Sequence, residues 1–370
     1  MKKIIILFLI WRLGLFTIAA LSPKVFPQFG DRFPYWQERL ASSGLPHFIW
    51  SFGNFDGVHY LGIAKDAYAY QFTQAFFPLY PILIRLGSIF TLGSYLVSAL
   101  LISNIAFLFG LIIFYKLVKE NYDQKIAFWS SIFLLTFPTS LFFGSVYTEG
   151  LFFLMIVVSF YLIEKNKLLA ASIIGSFASA TRFVGVFLSI ALSLAAKKNK
   201  RSFSTNELLP ILVVPVGLLA YIAYLQLEFS NPLYFLTSQQ IFGQERSTTE
   251  IILLPQVIWR YAKILATTGG LPFFNASFEL LSTAFALLML TAAYFKRLKI
   301  SWLVFSLLAI ITPTLTGTLT SMPRYILIAF PIYVTLALTL NLPSKIIFTV
   351  ISTALLVITT MLFTQGYWVA

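Results

Sequence analysis

Apolar runs of membrane-spanning length recur from one end of this 370-residue chain to the other. A bilayer core offers no water to satisfy backbone N–H and C=O groups, so such runs cross as internally bonded helices. About 17–25 residues suffice for one crossing. Spans are expected at residues 4–21, 95–118, 126–140, 148–164, 208–227, 276–295, 300–316, 325–341 and 346–363. Residues are 59% hydrophobic and 11% charged, which excludes a soluble domain, where apolar usage is about 45–50%. The expectation is an all-α polytopic membrane protein with about nine full spans, forming one membrane domain over residues 1–370.

A formal charge of +13 would suggest nucleic acid in a soluble protein. Here the basic residues gather in short loops between apolar runs, where they set orientation instead, so no nucleic-acid partner is expected. The clusters are Lys2-Lys3, Lys116/Lys119/Lys125, Lys165/Lys167, Lys197-Lys198/Lys200-Arg201, Lys296-Arg297/Lys299 and Lys345. They place the N-terminus and these loops in the cytoplasm. Residues 4–21 follow Met1-Lys2-Lys3 without a small-residue cleavage site and read as a first span, not a signal peptide. The alternating segments are poor in charge clusters and rich in Pro, Gly and aromatics. Residues 22–94 and 229–275 form the two large outer loops, and 138–148 and 317–324 two small ones. Within the loops, Val58–Tyr68, Pro78–Phe90 and Leu253–Leu265 are expected as surface or half-inserted helices.

Leu168–Ala196 has 29 apolar-rich residues, Arg182 near its middle and a basic cluster at each end. Two full spans need about 40 residues, and one span would put a basic flank on each side. A hairpin of two short helices with Arg182 near its outward tip satisfies both length and charge.

Ionisable side chains at membrane depth are expensive and mark candidate functional sites. On this topology Asp56, His59, Glu149, Arg182 and Arg324 all face the outer compartment. Each also has a plain structural reading. Asp56 precedes an expected helix from Gly57 to Asp66 and is a favoured N-cap residue. His59 can be interfacial filler, Glu149 can bond within its own span, Arg182 can snorkel, and Arg324 can mark the interface. With two histidines and no cysteine, no dedicated metal site is expected, and no disulfide or cysteine nucleophile is available. No cofactor is called for.

Five ordered blocks resemble one family. They are "NFDGVHYLGIAKDAY" (54–68) with "QAFFPLYPILIRL" (74–86), "FPTSLFFGSVYTEGLFFL" (137–154), "ASATRFVGVFL" (178–188), "SMPRYILIAFP" (321–331) and "FTQGYWVA" (363–370). Together they are similar to PIG-V-like mannosyltransferases, of the GT-C superfamily. The resemblance implies a helical bundle whose active site lies beneath the first outer loop. It also implies transfer of a sugar, usually mannose, from a polyprenyl or dolichyl phosphate to an acceptor hydroxyl with inversion. The acceptor would be a glycolipid, a polysaccharide or a protein. In that scheme Asp56 is the general base, and Arg182 and Arg324 face the donor phosphate. His59 and Glu149, with Gln74 and Tyr325 from the same blocks, complete the substrate-binding set. Phe76, Phe77, Pro78, Pro81 and Arg85 are candidates for one wall of a lipid groove.

The competing class is a transporter or lipid flippase, since intramembrane charges and proline-broken helices also mark transport sites. Against it, the polar residues cluster on one face and no inverted repeat is visible. A different polyprenyl-phosphate sugar also fits the same residues.

The hairpin is directly testable, because the chain has no cysteine of its own. Single cysteines at Asn166 and Asn199 are expected to react with an impermeant thiol reagent from the same side of the membrane. Reaction from opposite sides would replace the hairpin with a single crossing and invert every later span.

Overall fold

The structure, a computed structural model, describes residues 1–30, 33–197, 205–242, 246–248 and 250–369. Lys198, Lys200 and Arg201 of the fourth basic cluster lie outside the described residues. Among the described residues the regular structure is helical, with one isolated β-bridge, Ile252 to Thr316, and no strand.

Among the described residues, five helices are long and apolar enough to cross a membrane: Lys2–Val25, Tyr95–Asn121, Leu208–Phe229, Gly270–Phe295 and Leu342–Thr364. A sixth crossing is counted if Met322–Ile328 and Pro331–Thr339, bent by 81° at their break, form one span. The chain is thus a multi-pass membrane protein, but fewer of its helices reach full length than the expected nine. The reason is local. The run at 126–140 becomes the 13-residue helix Gln124–Thr136, which stops before Phe137-Pro138, since the residue before a proline resists the helical conformation. Glu149–Glu164 has 16 residues and Ile300–Thr314 has 15, about 22–24 Å at 1.5 Å per residue. Leu168–Ala196 divides into Leu168–Ser179 and Phe183–Ala196, with Arg182 extended at the break. Gly185 folds back so closely that a Cβ there would lie 2.5 Å from the carbonyl of Ala178.

The chain's contacts gather into two compact units. The first comprises Met1–Ala69, Pro78–Val158 and Leu336–Val369. Its core stacks Phe107 on Phe143 at 4.1 Å, with Trp11 donating to the Ser140 hydroxyl. Arg12 is buried within the first span, its guanidinium over the rings of Phe16 and Phe52 at 4.1 and 4.4 Å. The terminal block closes this unit over the first loop. The Gly30 N–H donates to the Gln365 carbonyl, His47 Nε2 lies 3.0 Å from the Thr364 carbonyl, and Asn54 Nδ2 donates to the Phe363 carbonyl at 2.8 Å.

The second unit comprises Tyr70–Phe77 and Ser159–Thr335. The helices Leu168–Ser179 and Val216–Phe229 approach until the Ser179 hydroxyl donates to the Val214 carbonyl and accepts from the Leu218 N–H. Gly217 makes this possible, since a Cβ there would meet the Ser176 carbonyl at 2.0 Å. Phe76 packs on Phe242, and Phe77 on Tyr221 and Phe235. Both phenylalanines are buried, so they belong to this aromatic core and not to a lipid-facing wall.

Asn54 is fully buried, and its amide ties the loop before Asp56 to the end of the last helix. Asn54→Ala leaves the Phe363 carbonyl without this donor and is expected to cost about 1–3 kcal/mol. The check is thermal melting of the purified protein in detergent, where an unchanged midpoint would show the tie to be dispensable.

Candidate functional site

In the first unit, Phe55 adopts φ +59° and ψ −116°, a conformation costly for an aromatic residue, by about 1–3 kcal/mol. The ring is held by Phe33 at 4.5 Å, Trp368 at 5.1 Å and Phe363 at 5.7 Å. This twist launches the helix Asp56–Asp66. Asp56 is therefore its first helical residue and not its N-cap, and the helix start has no side-chain capping bond. The cap reading is corrected: the half-buried carboxylate sits in the first turn, where the helix dipole favours negative charge. The backbone N–H of Asp56 donates to the Tyr147 hydroxyl, which donates in turn to the Asn54 carbonyl at 3.0 Å. Val146 N–H donates to the Phe52 carbonyl. The block at 137–154 thus carries the loop that presents Asp56.

His59 lies one turn on. Burial pushes its pKa from 6.5 down to about 4; Asp56 opposes this shift and Arg39 adds to it. Arg39 was not among the sequence candidates. Its Nη1 donates to the Val58 carbonyl at 2.6 Å, and its guanidinium lies over Tyr35 at 4.7 Å. It crosses the helix at Gly62, where a Cβ would sit 2.0 Å from Nη1. Trp36-Gln37-Glu38-Arg39 is an ordinary loop stretch in the sequence, and only the fold brings Arg39 within electrostatic reach of His59.

Glu149 begins the helix Glu149–Glu164 and is 1% exposed. It lies within electrostatic reach of Tyr80, whose hydroxyl donates to the Ala99 carbonyl and shares a hydrogen bond with Ser103 at 2.7 Å. Tyr80 packs edge-on to Tyr60, the neighbour of His59, at 5.2 Å. Among the described residues, no group of three His, Asp or Glu side chains is placed to hold a metal ion.

In the second unit, two distant blocks meet at one ring. Arg182, from the helix break, lies 5.1 Å from the Tyr325 centroid, and Arg324 lies 5.4 Å from it. Arg324 is buried and Arg182 half-buried. A tyrosine face offsets part of the repulsion between two cations, by about 0.5–2 kcal/mol each. Guanidiniums carry planar, bidentate donors of the geometry that phosphate accepts, which makes the pair a candidate anion site. Gln74 is also buried here, and its carbonyl accepts from the Tyr221 hydroxyl at 2.7 Å.

A buried carboxylate supports the Arg324 loop. Glu279, 3% exposed, accepts from the Tyr261 hydroxyl and from the backbone N–H of Ser321. Tyr261 also accepts from the Leu319 N–H at 3.0 Å, and Arg246 donates to the Thr320 carbonyl at 3.3 Å. Ser321 itself takes φ +70° to start the turn Met322–Tyr325. The sequence signal for Glu279 was available: it is the one acid within the expected span 276–295.

The His59 shift sets a pH dependence. Because the folded-state value lies below 6.5, the unfolded chain takes up this proton first as pH falls. The stability carried by neutral His59 is whole above pH 6.5 and is lost as pH falls from 6.5 towards about 4. His59→Gln is expected to flatten the fall in melting temperature across that window. A residual slope is assigned to His47, also held below its usual range by burial. An unaltered slope in the variant would place the proton uptake on other groups.

The comparisons with known proteins agree with the block pattern. Residues 4–206, more than half of the chain, match the family described as Mannosyltransferase (PIG-V). The chain is 28% identical over 187 residues to GPI mannosyltransferase 2 of Cryptococcus neoformans var. neoformans serotype D, covering 48% of this chain and 42% of that protein. It is 31% identical over 138 residues to GPI mannosyltransferase 2 of Drosophila pseudoobscura pseudoobscura, covering 34% and 29%. These matches span less than half the length of those relatives. Among solved structures, the Archaeoglobus fulgidus oligosaccharyltransferase is similar at a TM-score of 0.41 and 13% identity, over 95% of this chain and 53% of that one. On the extent of the family match, the chain belongs to the PIG-V mannosyltransferase family.

Proposed function

We propose that this chain is an integral membrane glycosyltransferase of GT-C type. In this reading it moves mannose from a polyprenyl phosphate to a hydroxyl of a membrane glycolipid on the outer face, with the N-terminus in the cytoplasm. The observation that carries the reading is the pair Arg182 and Arg324 on the Tyr325 ring. A leaving lipid phosphate needs electrostatic stabilisation more than proton transfer, and two planar guanidiniums supply it.

The acceptor oxygen attacks the anomeric carbon, the bond from that carbon to the phosphate oxygen breaks, and the phosphate leaves with the electron pair. Asp56 takes the acceptor's proton; one displacement gives inversion. A carboxylate held in a helix's first turn, half-buried in the loop that Asn54 and Tyr147 frame, is placed for that role. His59 remains neutral at neutral pH and acts as a hydrogen-bonding partner, not as a second cation. Glu149 and Gln74 are assigned to sugar hydroxyls. Tyr325 holds the two guanidiniums.

The test is transfer from radiolabelled polyprenyl-phosphate mannose to a lipid acceptor by the purified chain. Asp56→Asn is expected to keep donor binding and lose transfer by about 10²–10⁴-fold. Arg182→Lys keeps the charge but not the fork and is expected to raise the donor KM, with Arg182→Gln worse and the same order at Arg324. Near-parent turnover in Asp56→Asn removes the base assignment. Unchanged donor KM in both Gln variants moves the phosphate elsewhere. Movement of donor across vesicles without transfer would favour a transporter.

A further inference from the structure

The first unit contains a concave site at the end of its first span remote from the Asp56 loop. The helix Lys2–Val25 has 24 residues, about 36 Å at 1.5 Å per residue, and the loop carrying Asp56 follows its far end. At its near end, its first turn meets the last turns of Tyr95–Asn121 and the first turn of Gln124–Thr136. These frame an open-mouthed cavity of about 710 Å³, whose lining includes Lys2, Lys3, Ile4, Tyr115, Lys125 and Phe128.

The lining has two parts. Ile4 and Tyr115 are buried and Phe128 half-buried, which makes an apolar floor, while Lys2, Lys3 and Lys125 are exposed at the rim. No acidic side chain lines the cavity. Asp123 accepts from the Ile126 N–H at 2.7 Å as the N-cap of the helix that follows it. Lys345, buried over the Trp129 ring, lies within electrostatic reach of both Lys125 and Asp123 and adds a fourth positive charge.

Lysines needed only for orientation have no reason to surround a cavity, where they repel each other. An apolar floor is equally out of place under a free inorganic anion. One ligand meets both conditions: a phosphodiester that meets the lysines, continuing into glycerol and acyl chains that cover the floor. Basic pockets at helix ends are suited to anionic lipid headgroups. We propose that this cavity binds the headgroup of an anionic phospholipid, in the leaflet opposite the Asp56 loop.

The test is native mass spectrometry of the purified full chain released from mixed micelles of phosphatidylglycerol and phosphatidylcholine. The parent is expected to retain phosphatidylglycerol over phosphatidylcholine by about tenfold. Lys2→Gln/Lys3→Gln/Lys125→Gln is expected to bring the ratio close to one. The single rim substitution Lys125→Glu, at an exposed site, is expected to lower it severalfold. Lys165→Gln/Lys167→Gln/Lys296→Gln removes equal charge away from the cavity and is expected to leave the ratio unchanged. Millimolar inorganic phosphate is expected not to displace the lipid. Equal retention of the two lipids by the parent overturns the proposal, as does equal loss in the two triple variants. Displacement by inorganic phosphate assigns the cavity to a free anion and also overturns it.

Discussion

A loop sunk among membrane helices must find partners for its backbone inside the protein, because the bilayer supplies none. Asn54 and Tyr147 meet that requirement around Asp56. The Asn54 amide reaches the end of the last helix, and the Tyr147 hydroxyl accepts the Asp56 N–H while donating to the Asn54 carbonyl. Three blocks remote in sequence thereby become one frame in the first unit. The strained conformation of Phe55 persists only because Phe33, Phe363 and Trp368 enclose its ring. The frame also explains the terminal block, which serves as a clamp on the first loop.

The second unit solves a different problem, the placement of cations at low dielectric. Arg182 and Arg324 share one tyrosine ring, and the loop that brings Arg324 there hangs from Glu279 through the N–H of Ser321. Tyr261 joins the same carboxylate to the Leu319 N–H. A buried acid deep in a span is costly unless it is hydrogen-bonded, and here it is bonded to the turn that presents the arginine. The same rule that singled out Arg182 in the sequence, a charge inside an apolar run, applies equally to Glu279 and to Arg12. Each is a single charge in a long apolar run, and its packing partners lie in other segments of the chain. Arg12 proves to be wedged between Phe16 and Phe52, beneath the first loop.

Hydropathy made the class plain and located most helices, because a bilayer permits little besides helix. It overstated how many reach full length. The run at 126–140 is cut by Phe137-Pro138, and the run at 325–341 breaks after Ile328, where the chain turns by 81°. Apolarity measures which residues avoid water, and a short helix buried against other helices satisfies it as well as a full crossing. The Leu168–Ala196 stretch was more legible: 29 residues between two basic clusters leave room only for short arms, and the break falls at Arg182.

By itself, the sequence determined the helical membrane class, the family through its ordered blocks, and which charged residues stand where apolar ones would be cheaper. These follow from composition and local order, which need no long-range contact. Only the tertiary structure decided that Asp56 begins its helix instead of capping it, that Arg39 crosses at Gly62 within electrostatic reach of His59, and that Arg182 and Arg324 share Tyr325. The physical reason is that each depends on groups tens to hundreds of residues apart. Backbone strain, close approach and the pairing of like charges arise only once packing has closed the distance.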